Sequence, residues 1–275
     1  MRNQSSYKTE TSDSSWYEQG YQIFLERTDF RKQILNTFSA SLAAQVTSSD
    51  FKRVLDIGCG NGKMSKQYLE ALTAKLHIKN MEITLVEPAN ESLQNAKKEI
   101  QSVSNNIILK NCSAENVEDY LPKDKQDLII ASYVFYHVNP MILQSLASSL
   151  NVNGSIAIMM GTSRHPIKTH PELAEVSKHG STDILLPVLN GLEQLKKYKI
   201  QRQEIKTNVD LNGLWQKDEF SEEGKTFFSF ILNHDFTKLS LSHVKALNEV
   251  LTPIFQDGNG IMNPIHELIW IKRQI

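Results

Sequence analysis

The chain has 275 residues, of which 40% are hydrophobic and 22% are charged, and 30 basic against 31 acidic side chains leave a formal net charge of −1. This composition can build a large buried core, which excludes a disordered chain, and its near balance of charge disfavours nucleic acid and anionic membranes as partners. Two cysteines without a CxxC pair exclude a disulfide scaffold and argue against structural zinc.

Residues 1–15 are polar and rich in serine and threonine, so we expect a flexible tail without the apolar stretch of a secretory signal. No apolar run approaches the roughly 20 residues that span a bilayer. We therefore expect no membrane partner. The two cysteines favour a reducing, cytoplasmic location, and we expect a monomer.

The N-terminal part of the chain is predicted to be helical. Four aromatic residues lie between positions 16 and 24, and a second helical pattern follows Asp29, with apolar residues every three to four positions. This stripe favours a helix that packs on a core, or one that also covers a pocket. We interpret residues 16–48 as an N-terminal helical cover.

Short apolar runs then alternate with helical patterns between residues 50 and 160. The runs cover residues 53–57, 83–86, 107–109, 127–131 and 155–160. Strands that are apolar throughout and alternate with helices are typical of a parallel sheet covered on both faces. The sequence therefore predicts an α/β fold, a Rossmann-like doubly wound sheet that is mostly parallel.

The rhythm breaks after residue 160. Prolines and glycines punctuate residues 161–260, which we interpret as a C-terminal, substrate-side insertion. Residues 261–275 contain an apolar run that we predict to be the last strand, antiparallel to the others. We expect residues 16–275 to form a single domain around a cofactor-binding core at residues 50–160.

The most informative motif is VLDIGCGNG at residues 54–62, where a predicted strand meets a glycine-rich turn. Lys63 occupies the sixth position, where a dinucleotide fingerprint requires glycine, and no GKS or GKT of a P-loop follows. Asp56 disfavours phosphate here and suits a cationic ligand. S-adenosylmethionine carries an α-ammonium and a sulfonium and no phosphate, so we expect it to bind at Asp56, Gly58 and Gly60.

Polar residues also follow the later predicted strands. Glu87 lies 29 positions after Gly58, where an acid accepts two hydrogen bonds from ribose hydroxyls, although a solvent-exposed strand-end acid is the alternative. Ser113 and Ala114 belong to a small cluster that can reach an adenine edge. The residues at 131–138 border the same site, because ligands of open α/β sheets bind beyond the strand carboxyl ends.

The motifs VLDIGCGNG, LVEP, NCSAE, DLIIASYVFYHV and LNVNGSIAI occur in this order. Together they make residues 50–160 similar to the class I S-adenosylmethionine-dependent methyltransferases. Within that superfamily the chain most resembles histamine N-methyltransferase and its relatives, through WYEQGYQIFLERTDF, VEPANES, YHV and MNPIHELIWI. The resemblance implies cofactor contacts from Gly58, Glu87, Ser92, Ser113 and Ser132. It implies an acceptor pocket near Tyr21, Phe24, Tyr133, His137 and Asn263.

Several positions depart from that family's acceptor site. Phe30 aligns with a family acid, with Asp29 adjacent, and Tyr133 aligns with a family glutamine. Pro264 aligns with a family asparagine, with Asn263 one position away. The pocket tryptophans of the family have no counterpart in the run GTSRHPIKTHP.

The expected reaction is direct transfer of a methyl group from the sulfonium to a small-molecule acceptor, with an amine nitrogen as the nucleophile. Aromatic side chains would desolvate the amine and favour its neutral form; they are Tyr21, Phe24, Tyr133 and Tyr136. His137 or a water would accept the proton, and Tyr133 and His137 are the predicted catalytic residues. Asp29 and Asn263 complete the predicted acceptor site.

Two other functions fit the same motifs, namely O-methylation of a hydroxylated metabolite and a non-catalytic role that keeps the cofactor site. Methylation of a nucleic-acid base is not expected, because the fourth strand ends in SYVF and not in an Asn/Asp-Pro-Pro-aromatic turn. No metal site is expected either, because His165 and His170 lack ligand spacing and no HExxH occurs.

Overall fold

The structure, a computed structural model, describes residues 15–46, 51–77, 81–121, 125–177 and 181–274. The expected tail lies outside these residues, apart from Ser15. The helices of the described ranges are α1 Ser15–Arg27, α2 Phe30–Gln45, α3 Lys63–Leu76, α4 Asn90–Ile100, α5 Val117–Tyr120, α6 Ile142–Ser148, α7 Pro171–Val176, α8 Leu186–Gln194, α9 Glu222–Leu232 and α10 Leu241–Gln256. Three short 3-10 helices cover Val134–Tyr136, Thr182–Leu185 and Phe236–Lys238.

The strands of the described ranges are β1 Arg53–Ile57, β2 Glu82–Val86, β3 Asn106–Lys110, β4 Gln126–Ser132, β5 Leu150–Gly161, β6 Tyr198–Lys206, β7 Val209–Asp210, β8 Trp215–Gln216, β9 Glu219–Phe220, β10 Ile261–Met262 and β11 Ile265–Arg273. Within the part of the chain that the structure describes, none of the helices combines the length and apolar character needed to cross a membrane.

The contacts divide the chain into two compact units. The first, called the insertion unit, runs up to Arg31 and also includes Gly161–Ser181 and Lys206–His266. The second, called the sheet unit, comprises Lys32–Met160, Thr182–Ile205 and Glu267–Ile275. The expectation of one domain over residues 16–275 stays a prediction.

The sheet unit contains a seven-stranded sheet in the order β3-β2-β1-β4-β5-β11-β6, mostly parallel with one antiparallel strand. Strand β1 pairs in parallel with both β2 and β4, and Ile57 lies opposite Val86 on one side and Ala131 on the other. This confirms the predicted fold class. Because the chain order reverses at β1, ligands of such sheets are expected to bind beyond the carboxyl ends of β1 and β4.

Apolar residues on both faces of the central strands build the core of the sheet unit, as their sequences predict. Helix α2 buries Ile34, Phe38 and Leu42 on one face, because they recur every four residues. The ring of Phe38 stacks on Trp270 at 5.5 Å between centroids, and the Trp270 Nε1–H donates to Ser41 Oγ at 3.0 Å. The helical prediction after Asp29 is confirmed.

Strand β6 does not continue directly into strand β7. Strand β6 ends at Lys206, and β7 begins only at Val209. Between them the Thr207 N–H donates to the Pro264 carbonyl at 3.2 Å, and the side chain of Asn208 bonds to Asp29. In a continuous strand, these polar groups would point in other directions and could not make these contacts.

The insertion unit is built on an aromatic core between α1 and α9. Gly20 permits a close approach of the two helices, since a Cβ there would lie 2.5 Å from the Thr226 carbonyl oxygen. The ring of Phe230 lies 5.4 Å from that of Tyr21 and 5.5 Å from that of Phe24. Two small antiparallel sheets, β7 with β10 and β8 with β9, complete this unit.

Candidate cofactor and acceptor sites

The glycine turn after β1 depends on backbone conformations that favour glycine. Gly58, Gly60 and Gly62 have φ values of 68°, 54° and 79°. The Gly58 N–H donates to the Val86 carbonyl at 2.8 Å, which fixes the start of the turn against the end of β2. The backbone is therefore shaped by the protein itself at the edge of the sheet where ligands bind.

The three glycines differ in their surroundings. A Cβ on Gly58 would lie 2.8 Å from Val134 Cγ2, and a Cβ on Gly62 would lie 2.5 Å from the Cα of Ala96. A Cβ on Gly60 would meet no described atom within 4 Å outside its chain neighbours. Gly58 and Gly62 thus serve close packing, whereas Gly60 borders open space that a ligand can occupy.

Asp56 places a carboxyl group beneath this turn. It is buried, and its Oδ2 has no hydrogen-bond partner among the described residues. Burial raises the pKa of Asp56 to about 7; a hydrogen bond from Ser65 lowers it and the Glu87 carboxylate raises it further. A cation bound nearby would favour the ionised carboxylate, because an opposite charge offsets the penalty of burial.

Glu87 follows β2 and holds the turn from the neighbouring strand. Its Oε2 accepts the Gly60 N–H at 3.0 Å, and its Oε1 accepts the Ala89 N–H at 3.0 Å. The Asn111 side chain donates to the carbonyl oxygens of Glu87 and Pro88 at 3.0 and 2.9 Å. A carboxylate has about four acceptor positions, so Glu87 can also accept ribose hydroxyls.

The other predicted cofactor residues, which follow β2 and β3 in the chain, lie at the same edge of the sheet. Ser92 lies half-buried in the first turn of α4. Ser113 Oγ accepts the Glu115 N–H at 3.3 Å, and the carbonyl of buried Ala114 accepts the Tyr120 hydroxyl at 2.7 Å. The loop after β3 is thereby ordered where the sequence places the adenine.

The turn after β4 carries the predicted catalytic residues. Tyr133 has a left-handed backbone with φ 59°, and its N–H donates to the Met159 carbonyl at 2.9 Å. The rings of Tyr133 and Tyr136 lie 5.9 Å apart. His137 is exposed, yet desolvation by the surrounding protein lowers the pKa of its imidazole. A strained turn thus presents two phenols and a neutral imidazole.

The insertion unit joins two predicted acceptor residues through a third that the sequence did not indicate. Asn208 donates from its backbone N–H to Asp29 Oδ1 at 2.8 Å and from its side chain to Oδ2 at 3.0 Å. Asn263 Nδ2 donates to Asn208 Oδ1 at 2.8 Å. Asp29 and Asn208 also line a cleft of about 640 Å³ within this unit.

Two predicted aromatic acceptor residues lie in the core of the insertion unit. Phe24 is buried, with its ring 5.2 Å from that of Phe30 and 5.5 Å from that of Phe230. The Tyr21 hydroxyl accepts a hydrogen bond from Arg31 at 3.3 Å. Their role toward an acceptor stays a prediction.

Sequence reasoning also missed two basic groups of the insertion unit. The ring of His266 is buried 5.9 Å from that of Phe30, and burial together with Lys168 lowers the pKa of His266 to about 4, against an opposing effect of Asp29. Burial lowers the pKa of Lys168 to about 8. His266 lies within the run MNPIHELIWI, which was the available signal.

The predicted site residues thus fall into two sets. The sheet unit holds Asp56, Gly58, Gly60, Glu87, Ser92, Ser113, Ala114, Ser132, Tyr133, Tyr136 and His137. The insertion unit holds Tyr21, Phe24, Asp29 and Asn263. Over the described ranges, no three His, Cys, Asp or Glu side chains are grouped so that they could hold a metal ion.

Comparison with known proteins gives one family match and one curated relative. Residues 54–154 match the family model Methyltransf_25, described as a methyltransferase domain. A curated relative, an uncharacterized protein of Haemophilus influenzae, is 27% identical over 187 residues, which is 66% of this chain. The match spans 65% of that relative's length.

Three solved structures share the fold. The plantazolicin methyltransferase BamL, in complex with a triazolic desmethylPZN analog and SAH, has a TM-score of 0.54 and 17% identity over 94% of this chain and 93% of its own. BpumL, another plantazolicin methyltransferase in complex with SAH, has a TM-score of 0.55 and 13% identity over 96% and 92%. YcgJ of Bacillus subtilis has a TM-score of 0.53 and 16% identity over 88% and 98%.

The fold is the Rossmann-like fold of these methyltransferases, and residues 54–154 match a methyltransferase domain. The cofactor of such a domain is S-adenosylmethionine. The residues present fit it, since Asp56 offers a buried oxygen without a partner in the described chain and Gly60 borders open space. These relatives do not support the finer resemblance to histamine N-methyltransferase.

Proposed function

We propose that this chain transfers a methyl group from S-adenosylmethionine to a small-molecule acceptor, and that the accepting atom is an amine nitrogen. The proposal starts from the match of residues 54–154 to a methyltransferase domain. The carboxyl group of Asp56, buried beneath the glycine turn, carries the proposal. A buried carboxyl group next to a second acid, Glu87, gains most from a cationic ligand. S-adenosylmethionine supplies that cation without a phosphate.

Each part of the crevice suits one part of this cofactor. Glu87 would accept hydrogen bonds from the ribose, and Ser113 and Ala114 would lie at the adenine. Asp56 and Ser132 would lie at the amino-acid end. When bound, S-adenosylmethionine supplies a methyl group that its sulfonium has already activated. The chain therefore has to align the acceptor and exclude water.

The turn after β4 suits the deprotonation of an amine. An amine attacks only as the neutral base, and the phenol rings of Tyr133 and Tyr136 would favour that form by removing water. The lowered pKa of His137 keeps its imidazole neutral near pH 7, so a ring nitrogen can accept the proton that the amine releases.

The insertion unit supports the choice of a small, polar acceptor. Its Asp29, Asn208 and Asn263 form a connected set of carboxylate and amide groups, and carboxylates attract ammonium groups. The two plantazolicin methyltransferases with this fold agree with a small-molecule acceptor, because one of them is in complex with a desmethylPZN analog.

The test is an acceptor screen with two matched sets, primary and secondary amines on one side and phenols of similar size on the other. Formation of S-adenosylhomocysteine and of a product one methyl group heavier is measured for the wild type and for Glu87→Ala. We expect amines to be methylated by the wild type and not by the variant. Methylation of phenols alone would move the assignment to O-methylation. Binding of S-adenosylmethionine without transfer to any acceptor would indicate a non-catalytic protein.

A further inference from the structure

Two buried hydroxyl groups interrupt the apolar face of helix α3. The buried residues of this helix are Ser65, Tyr68, Leu69 and Leu72. The two leucines pack as expected in an α/β core. Ser65 and Tyr68 lie three positions apart and so on one face, and each carries its hydroxyl toward the end of a strand.

Ser65 contacts the end of β1. It is 3% exposed, and its hydroxyl hydrogen bonds to the carboxyl group of Asp56. The Ser65 hydroxyl also donates to the carbonyl oxygen of Cys59 in the glycine turn at 3.5 Å. Ser65 thereby lies between the glycine turn and the carboxyl group of Asp56, whose Oδ2 has no partner among the described residues.

Tyr68 contacts the end of β4. Its side chain is 1% exposed, and its hydroxyl lies 3.2 Å from Ser132 Oγ. The ring of Phe38 packs against it at 4.8 Å between centroids. The Ser132 hydroxyl therefore has a buried hydrogen-bond partner on α3.

The order of the strands shows where these two contacts lie relative to Glu87. Ile57 and Ala131 are register partners, so Gly58 and Ser132 follow directly on paired residues of the neighbouring strands β1 and β4. Glu87 lies at the other side of β1, after β2. A ligand with its ribose at Glu87 therefore extends its other end across the glycine turn toward Ser132.

We propose that Ser65 and Tyr68 are positioning residues for the amino-acid end of the cofactor, Ser65 acting through Asp56 and Tyr68 acting through Ser132. This inference rests on the proposed function. Alanine and phenylalanine would fill the same space without placing a hydroxyl in the core, where each hydroxyl must be hydrogen-bonded to avoid a penalty. The two hydroxyls are thus explained by the polar groups that they orient.

The test uses two probes in calorimetric titrations of the full chain. S-adenosylhomocysteine contains the amino-acid end, whereas 5′-methylthioadenosine shares its adenosine and lacks that end. For Tyr68→Phe and Ser65→Ala we expect the affinity for S-adenosylhomocysteine to fall about three- to tenfold, the equivalent of one hydrogen bond, and the affinity for 5′-methylthioadenosine to stay unchanged. An equal loss for both probes, or no loss for either, would overturn the proposal.

The matched control is Thr73→Val. Thr73 also lies on α3, but its hydroxyl donates to the Leu69 carbonyl of the same helix at 2.9 Å. Removal of this hydroxyl should leave both affinities unchanged. A loss of S-adenosylhomocysteine affinity as large as that of Tyr68→Phe would show that any hydroxyl loss on α3 acts through the fold, and would contradict the proposal.

A double-mutant cycle tests the path through Ser132. In the Ser132→Ala background, the further change Tyr68→Phe should have no effect on S-adenosylhomocysteine affinity, because the hydroxyl that it orients is gone. Independent, additive losses would contradict the proposed path. If the wild type binds neither probe, the proposed function itself fails. If the wild type binds both and the variants do not distinguish them, only the positioning role fails.

Discussion

The Gly60 N–H donates a 3.0 Å hydrogen bond to Oε2 of Glu87 and so joins the glycine turn after β1 to the end of β2. The second oxygen of the same carboxylate accepts the Ala89 N–H. The glycine turn and the expected ribose-binding acid are therefore held together by hydrogen bonds of the protein itself. A site preformed in this way spends little binding free energy on ordering its own loops.

Substitutions at Gly60 and Gly62 distinguish a glycine that borders space for a ligand from a glycine that is needed for close packing. Gly62→Ala should lower the free energy of unfolding by about 3 kcal/mol, since its Cβ would meet the Cα of Ala96 at 2.5 Å in a left-handed backbone. Gly60→Ala should cost only about 1 kcal/mol, for the same backbone conformation without a clash. Urea denaturation measures both values.

The order of the two effects should be reversed for ligand binding, where Gly60→Ala should be the more harmful of the two substitutions. Gly60→Ala should weaken S-adenosylhomocysteine binding, because the new Cβ enters the open space beside the turn. Wild-type affinity in a folded Gly60→Ala protein would show that the ligand lies elsewhere.

The stability of the ligand-free protein should depend on the protonation of Asp56. Its pKa is raised from 3.8 to about 7, so the native state keeps a proton that the unfolded chain releases. This stabilisation is complete below pH 3.8 and is lost as the pH rises through 7, an effect of about 4 kcal/mol. Asp56→Asn should lack this loss and gain stability relative to the wild type between pH 5 and pH 8.

Urea denaturation of both proteins at a series of pH values checks this expectation. Parallel pH profiles for the wild type and Asp56→Asn would contradict it. In the same series, S-adenosylhomocysteine binding to the wild type should tighten as the pH rises through about 7, since the carboxylate then forms, and binding to the variant should not.

His137→Ala should lower kcat about a hundredfold and leave the affinity for S-adenosylmethionine unchanged, if His137 accepts the proton of the acceptor. Because desolvation lowers the pKa of His137 below 6.5, the wild-type rate should rise with pH below 6.5 and level off near 7. In the variant, this rise of the rate with pH should be absent. Steady-state kinetics with an amine found in the screen measures both, and an unchanged kcat would remove the assignment.

Asn208→Ala should raise the KM for the acceptor about tenfold and leave cofactor affinity unchanged, because Asn208 links Asp29 to Asn263. The control is Asn212→Ala, which removes a second amide–carboxylate contact of the insertion unit, 2.8 Å from Asp210. Equal effects of the two variants on KM would assign Asn208 to the stability of the unit alone.

Much of the sheet unit could be predicted because its signals are local. Strands that are apolar on both faces, ended by glycine or by Glu87-Pro88, identify β1 and β2 without knowledge of their partners. The parallel arrangement then brings their ends to one edge, so the proximity of Asp56, Gly60 and Glu87 follows from the sequence.

The contacts that the sequence did not indicate join residues far apart in the chain. Asn208 bonds to Asp29 across 179 positions because β6 ends at Lys206, and no local pattern shows where that strand stops. Tyr68 lies on a helix face beside leucines, where an aromatic residue is ordinary core. A role for its hydroxyl can be inferred only when the order of the strands places Ser132 beside it.

Calorimetric titration with S-adenosylmethionine tests the central claim most directly, with the wild type, Glu87→Ala and the control Glu82→Ala. Glu82 begins the strand that Glu87 follows, and its carboxylate contacts Arg53 at 3.4 Å, away from the glycine turn. We predict binding on the order of micromolar for the wild type and for Glu82→Ala, and its loss in Glu87→Ala. No binding by the folded wild type, or equal binding by all three proteins, would contradict the account.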